Sequence, residues 1–149
     1  MINMSGIDLY GSFFAGQNLI ESDFGECNLY NSNFYGANLE YSDFGYSNLE
    51  YAILSNTYSE GIGLFGSILI NTDLSNAVLF DADIRRCIAR YADFSNSDLR
   101  RVSFRQADLR YATFEGSNLY EADFYEADLR FVNFKGANLE KAYFKNARL

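Results

Sequence analysis

The chain has no histidine, no proline and no tryptophan, and only two cysteines and two methionines among its 149 residues. Without histidine it lacks the commonest general base and the commonest metal ligand, which counts against an enzyme. Lysine and arginine are absent from residues 1–84, which carry eleven acidic groups, whereas residues 85–149 carry twelve basic and nine acidic ones. The net charge of −8 argues against direct binding of nucleic acid. No apolar run is long enough to span a bilayer and no secretory leader pattern is present, so a cytoplasmic protein without membrane contact is expected. The length suits a single domain, residues 1–149, around one core.

What the chain does have is a rule of five. The thirty positions 4, 9, 14 to 149 hold sixteen Leu and ten Phe, with Met4, Ser59, Ile84 and Ala89 the exceptions. Two residues before each of these centres, twenty-six of thirty residues are Ala, Ser, Cys, Thr or Val. One residue before, nineteen of thirty are Asp or Asn. A period of five fits neither a helix nor a flat strand, so the chain is a repeat architecture. The centre and the small residue two before it read as the lining of a narrow interior.

The remaining positions read as outward. Ten of the eleven Asp stand just before a centre, while all nine Glu stand one or two residues after it. Short Asp and Asn side chains are expected to fold back onto backbone amides at the corners, leaving long charged side chains to the solvated turns. Glycine two after the centre, as at Gly16, Gly36, Gly116 and Gly136, suits a turn that needs positive φ.

Stretches such as Ala37-Asn38-Leu39-Glu40-Tyr41 and Ala127-Asp128-Leu129-Arg130-Phe131 resemble the A(D/N)LXX motif of the pentapeptide-repeat proteins, and the resemblance covers essentially the whole chain. It implies an all-β fold: a right-handed quadrilateral β-helix, a solenoid of about seven coils with four pentapeptides in each. At ~4.8 Å per coil the rod would be roughly 35 Å long. The phenylalanines at 14 to 44 and 94 to 144 recur every ten residues, which in a four-sided coil places them on two opposite walls in stacked ladders. Residues 52–91 are irregular: Ser59 and Ala89 occupy centres, and Ile53, Tyr58, Gly63, Ile68, Val78 and Ile88 replace Asp or Asn. Because the Phe parity is the same on both sides, no five-residue loop is inserted; a loosened coil near Ser59, or a hinge, is expected. Ile2, Ile7 and Phe13 are bulkier than the repeat demands and are expected to plug the first coil.

For function the resemblance implies a non-enzymatic protein that presents a shaped surface. Some family members bind DNA gyrase or topoisomerase IV as DNA mimics and protect against quinolones or peptide toxins. Arg90-Tyr91, Arg110-Tyr111 and Arg130-Phe131 form an Arg column beside an aromatic column at coil spacing, a candidate surface for a protein partner. The alternative is that the guanidinium groups lie on the rings and pair with Asp108 or Asp128. Glu21, Glu40, Glu60 and Asp81 line the opposite side, as a solvated edge or as a row imitating phosphates. The last coil ends on Phe144 and Leu149 without a polar cap, which suggests an end-to-end homodimer. Cys27 and Cys87 are sixty residues apart in the small-residue column and read as buried and reduced. No catalytic residue, cofactor or metal ligand is assigned.

Overall fold

A computed structural model of the chain describes residues 2–149. Each residue just before a centre is joined by a parallel bridge to the residue twenty further on, without a break from Asn3 with Asp23 to Asp128 with Arg148. One coil is therefore twenty residues, and it contains four bridged segments separated by four turns. The corners are numbered here by the residues after successive centres: the first holds 85 and 86, the second 90 and 91, the third 95 and 96, the fourth 100 and 101. Among the described residues no helix is long and apolar enough to cross a membrane.

The turns explain the rule of five. The carbonyl of most centres accepts from the amide three residues on, as in Ser12 N–H to Leu9 C=O at 3.1 Å; Leu54, Leu74, Ile84 and Phe94 are exceptions. The residue two after the centre has positive φ at every corner from 6 to 146, which is the signature of a type II turn. Eight of these residues are glycine, but twenty-one carry side chains, with φ between 53° and 64°. Each such residue costs roughly 1–2 kcal/mol relative to the right-handed region. Holding them there is the work of the neighbouring coils.

Backbone groups are accounted for almost completely by two ladders and one side-chain column. The centre donates to the next coil, as Leu29 N–H to Asn48 C=O at 2.7 Å, and so does the residue two after it, as Asn31 N–H to Glu50 C=O at 2.9 Å. The bridge residue donates back to the previous coil, as Asn33 N–H to Ser12 C=O at 2.9 Å. The amide left over is the one directly after the centre. All nineteen Asp and Asn of the repeat accept it, from Asn3 Oδ1 with Ser5 N–H at 3.0 Å to Asn138 Oδ1 with Glu140 N–H at 3.1 Å. Thr113 does the same through its hydroxyl. This is why short acids and amides occupy that column and Glu does not.

Inside, the Phe side chains form two ladders. Phe94 stacks on Phe114 at 4.9 Å and Phe104 on Phe124 at 5.1 Å, each pair one coil apart. Across the interior the two ladders meet edge to face, Phe104 against Phe114 at 5.4 Å. Both contacts suit the ring quadrupole, edge-to-face packing between ladders and near-parallel stacking within them. Serine is tolerated among them because its hydroxyl returns to the turn: Ser42 Oγ donates to Leu39 C=O at 2.6 Å and Ser47 Oγ to Phe44 C=O at 2.7 Å.

Two expectations are corrected. The coil near Ser59 is not loosened: Tyr58 bridges to Asn38 and Val78, Ser59 N–H reaches Val78 C=O at 2.8 Å, and Ser59 is fully buried. A small hydroxyl fits there because it donates to Thr57 Oγ1 at 2.9 Å, which in turn donates to the Leu54 carbonyl. Nor does Phe13 plug the first coil. It stands in the outward column and is 74% exposed, while Ile2 and Ile7 are themselves exposed.

Candidate partner-binding surface

The second corner begins with a local device. Where Asp stands before a centre and Arg after it, the carboxylate that accepts the Arg backbone amide also grips its guanidinium. Asp83 with Arg85, Asp98 with Arg100, Asp108 with Arg110 and Asp128 with Arg130 all form this fork. Nε lies 2.7–2.9 Å from Oδ1, and Nη2 lies 2.6–2.7 Å from Oδ2. Such two-pronged pairs are the strong form of charge-assisted hydrogen bond. The Arg110 side-chain bond holds the Asp108 carboxyl below its ordinary range, and Arg130 does the same for Asp128. The same bonds push the guanidinium groups of Arg110 and Arg130 further up.

Of the residues expected here, Arg110 and Arg130 are thus fixed by their own coil. Arg90 is not. Ile88 occupies the place of the carboxylate, and Arg90 Nε is buried without a hydrogen bond, 3.7 Å from Asp108 Oδ2. Beside the arginines, Tyr91 stacks on Tyr111 at 4.9 Å and Tyr111 on Phe131 at 4.8 Å, with rings within 10° of parallel. All three rings are exposed. Pairing with Asp108 and Asp128 is as expected, but the guanidinium groups do not lie on these rings. The fork draws Arg110 and Arg130 back along their own segments, and the rings close on one another instead.

Arginine does lie over rings at other corners. At the first, Arg85 and Arg86 sit 5.4 and 5.8 Å from the centroid of Phe65. Together with Arg105 and Gln106 they line a cleft of about 390 Å³. The sequence reading missed this group. Its signal was there: Arg105 follows Arg85 by twenty residues, and Phe65 precedes it by twenty.

The fourth corner carries the acidic row. Glu60 accepts a hydrogen bond from Tyr41 Oη at 3.0 Å, and Asp81 pairs with Arg101 at 3.2 Å, so among the described residues only Glu21 and Glu40 of the four have no such partner. Lower on that corner, Lys141 pairs with Glu121 and donates to Tyr120 Oη. Phe144 is half-buried and stacks on Phe124 at 5.0 Å, whereas Leu149 is 84% exposed. Cys27 and Cys87 are free and buried, and burial pushes both thiols up. The Cys27 thiol donates to Met4 C=O at 2.9 Å.

This geometry has relatives. A family model described as Pentapeptide repeats (8 copies) matches residues 2–34, 18–56, 64–96, 90–124 and 122–149. The chain belongs to the pentapeptide-repeat family. Solved members show that such chains fold as β-helices. HetL, a pentapeptide repeat protein involved in heterocyst differentiation regulation, comes from the cyanobacterium Nostoc sp. strain PCC 7120. It superposes with a TM-score of 0.69 at 20% identity, over 99% of this chain and 87% of that one. A trypsin-treated form of QnrB1, a plasmid-mediated fluoroquinolone resistance protein, superposes with a TM-score of 0.51 at 19% identity, over 94% of this chain and 80% of that one. At these identities the pentapeptide-repeat fold is what is shared. No curated protein sequence matches this one.

Proposed function

We propose that this pentapeptide-repeat protein is a non-enzymatic scaffold, a four-sided rod of about seven coils that binds another protein through its second corner. Arg90, Tyr91, Arg110, Tyr111, Arg130 and Phe131 form the contact. The observation that carries the reading is the stack Tyr91–Tyr111–Phe131, three exposed rings in register at 4.8–4.9 Å. Exposed aromatic side chains already immobilised by one another lose little entropy when a partner covers them. Arginines flanking aromatics are the residue types that dominate interface energetics. A catalytic role is disfavoured because the aspartates are committed as backbone acceptors at the corners.

The test is a charge reversal, Arg110→Glu with Arg130→Glu, in affinity capture from the native host. The captured protein should be lost while the thermal unfolding of the rod shows the fold intact. Capture that continues undiminished would rule the second corner out.

A second reading rests on the fourth corner. There Glu21 and Glu40 are carboxylates without a cationic partner among the described residues, on a half whose sequence has no Lys or Arg, a weak imitation of a phosphate row. On this reading the partner is DNA gyrase or a related topoisomerase. It is the less favoured reading because Arg101 neutralises Asp81 and Tyr41 occupies Glu60. A gyrase supercoiling assay with and without a fluoroquinolone decides it: neither inhibition nor protection at micromolar protein removes it.

A further inference from the structure

We infer that the rung Arg86–Ile88–Arg90, on the side between the first and second corners, docks an acidic polypeptide segment that places an apolar side chain between two carboxylates. The inference rests on the reading that this part of the rod binds protein, and it names the chemistry of the partner.

Arg86 and Arg90 lie in one coil of that side, and among the described residues neither has a carboxylate within hydrogen-bond distance, a property shared there by Arg148 at the end of the column of Ile88. Arg85 is held in a fork by Asp83, Arg105 pairs with Asp123 at 3.0 Å, and Arg110 is held by Asp108. Arg86, in contrast, donates through Nε to the neutral Oε1 of Gln106 at 2.9 Å. Gln106 is turned that way because its own amide donates to Glu126 Oε2 at 2.7 Å. The relay fixes the Arg86 guanidinium in place, over Phe65, without supplying it a directly bonded carboxylate. Arg90 lacks one for a different reason: Ile88 stands where Asp83, Asp98, Asp108 and Asp128 stand for the other forked arginines, and the nearest carboxylate oxygen is 3.7 Å away.

Between the two arginines the surface is apolar. Ile88 faces outward, 37% exposed, and bridges directly to Ile68 in the coil before. The same column reads Asp, Asn, Asn in the earlier coils and Asp, Asp, Arg in the later ones. The apolar interruption therefore coincides with the place where the charge compensation is missing. An apolar centre flanked by donors with free N–H groups is the layout of an interface core and its rim. Acidic side chains complete the charge pairing that the coil itself leaves open. Nucleic acid fits less well: a phosphate backbone would bring no group suited to Ile68 and Ile88 and would meet Asp108 on the same column.

Arg86 and Arg90 are four residues apart, about 13 Å along an extended segment at ~3.3 Å per residue. An extended ligand with the pattern Glu-Ser-Leu-Ser-Glu has the same separation of its acids, with leucine at the middle. The experiment uses a fluorescein-labelled peptide carrying that pattern in a Gly/Ser frame, its Lys-Ser-Leu-Ser-Lys counterpart, and a short DNA duplex, each titrated with the full chain in a fluorescence anisotropy assay. The acidic peptide should bind, more weakly as salt is raised, and more tightly than either of the other two. Ile88→Asp, and separately Arg86→Glu with Arg90→Glu, should each weaken binding by about tenfold or more. Circular dichroism should show every variant folded, since all three side chains are on the surface. The inference is overturned if the acidic peptide fails to bind, if the basic peptide or the duplex binds as well, or if the rung variants bind like the parent. Loss of peptide binding in Arg110→Glu with Arg130→Glu, without loss in the rung variants, would leave the second corner standing and remove the rung.

Discussion

Asp108 and Arg110 form a closed pair inside a single coil, with Nε 2.8 Å from Oδ1 and Nη2 2.7 Å from Oδ2. The same aspartate oxygen also accepts the Arg110 backbone amide, so one short side chain fixes both a turn and a charge. An arginine directly after a centre is therefore bound to its own coil where Asp stands two residues before it, as at Arg85, Arg100, Arg110 and Arg130. That makes the exceptions informative.

The forks make stability depend on pH. Asp108 and Asp128 are held below the ordinary aspartate value of 3.8, chiefly by their side-chain bonds to Arg110 and Arg130. A depressed carboxyl contributes its full stabilisation above the unfolded value and loses it as pH falls through that value toward the folded one. The melting temperature should therefore drop on acidification below the ordinary aspartate range. The drop should be smaller in Asp108→Asn with Asp128→Asn, which lacks the titrating groups. Equal drops in thermal scans of the two proteins would show that the forks do not contribute.

Ile88→Asp should restore the missing fork. The new carboxylate would meet both the Arg90 amide and its guanidinium, as at the four existing pairs, and the isoleucine surrendered is already partly exposed. The variant should be as stable as the parent or more so, by up to about 1 kcal/mol, the usual net worth of a hydrogen bond. Chemical denaturation measures it, and a clear loss of stability would mean that Ile88 is held for packing.

The aromatic ladders should be the most sensitive part of the core. Phe114 is fully buried and touches Phe94, Phe104, Phe124 and Phe134 at 4.9, 5.4, 5.9 and 5.3 Å. Phe114→Ala should cost about 3–5 kcal/mol. Phe114→Leu should cost much less, because Leu74 and Leu54 already occupy the corresponding place two and three coils earlier. Denaturant midpoints of the two variants give the comparison.

Two glycines at equivalent corners should respond unequally to alanine. At Gly136 a methyl group would meet nothing closer than 3.8 Å, leaving only the cost of positive φ, about 1–2 kcal/mol. At Gly61 it would come within 2.6 Å of the Tyr41 ring, which lies across that glycine while its hydroxyl reaches Glu60. Gly61→Ala should therefore be the more damaging of the two and should displace Tyr41. Similar losses in melting temperature would mean that the ring swings aside freely.

The rule of five was legible from residue types because its causes are local. An Asp or Asn reaches an amide two residues on, and a turn closes over three, so neither needs the rest of the chain. The twenty-residue coil was nearly as open, since like aromatic residues can stack in ladders only if the chain returns in register. What the tertiary structure alone decided lies on the corners, between side chains twenty residues apart that have several rotamers each. Tyr91 settles on Tyr111 rather than under Arg110, Tyr41 lies across Gly61, and Arg86 turns to Gln106 over Phe65. Ser59 showed the same from inside: an apparent flaw in the pattern, it is held by the hydroxyl of Thr57. Spacing says which residues share a corner, but only the competition among neighbours for space and hydrogen bonds selects the partner each one takes.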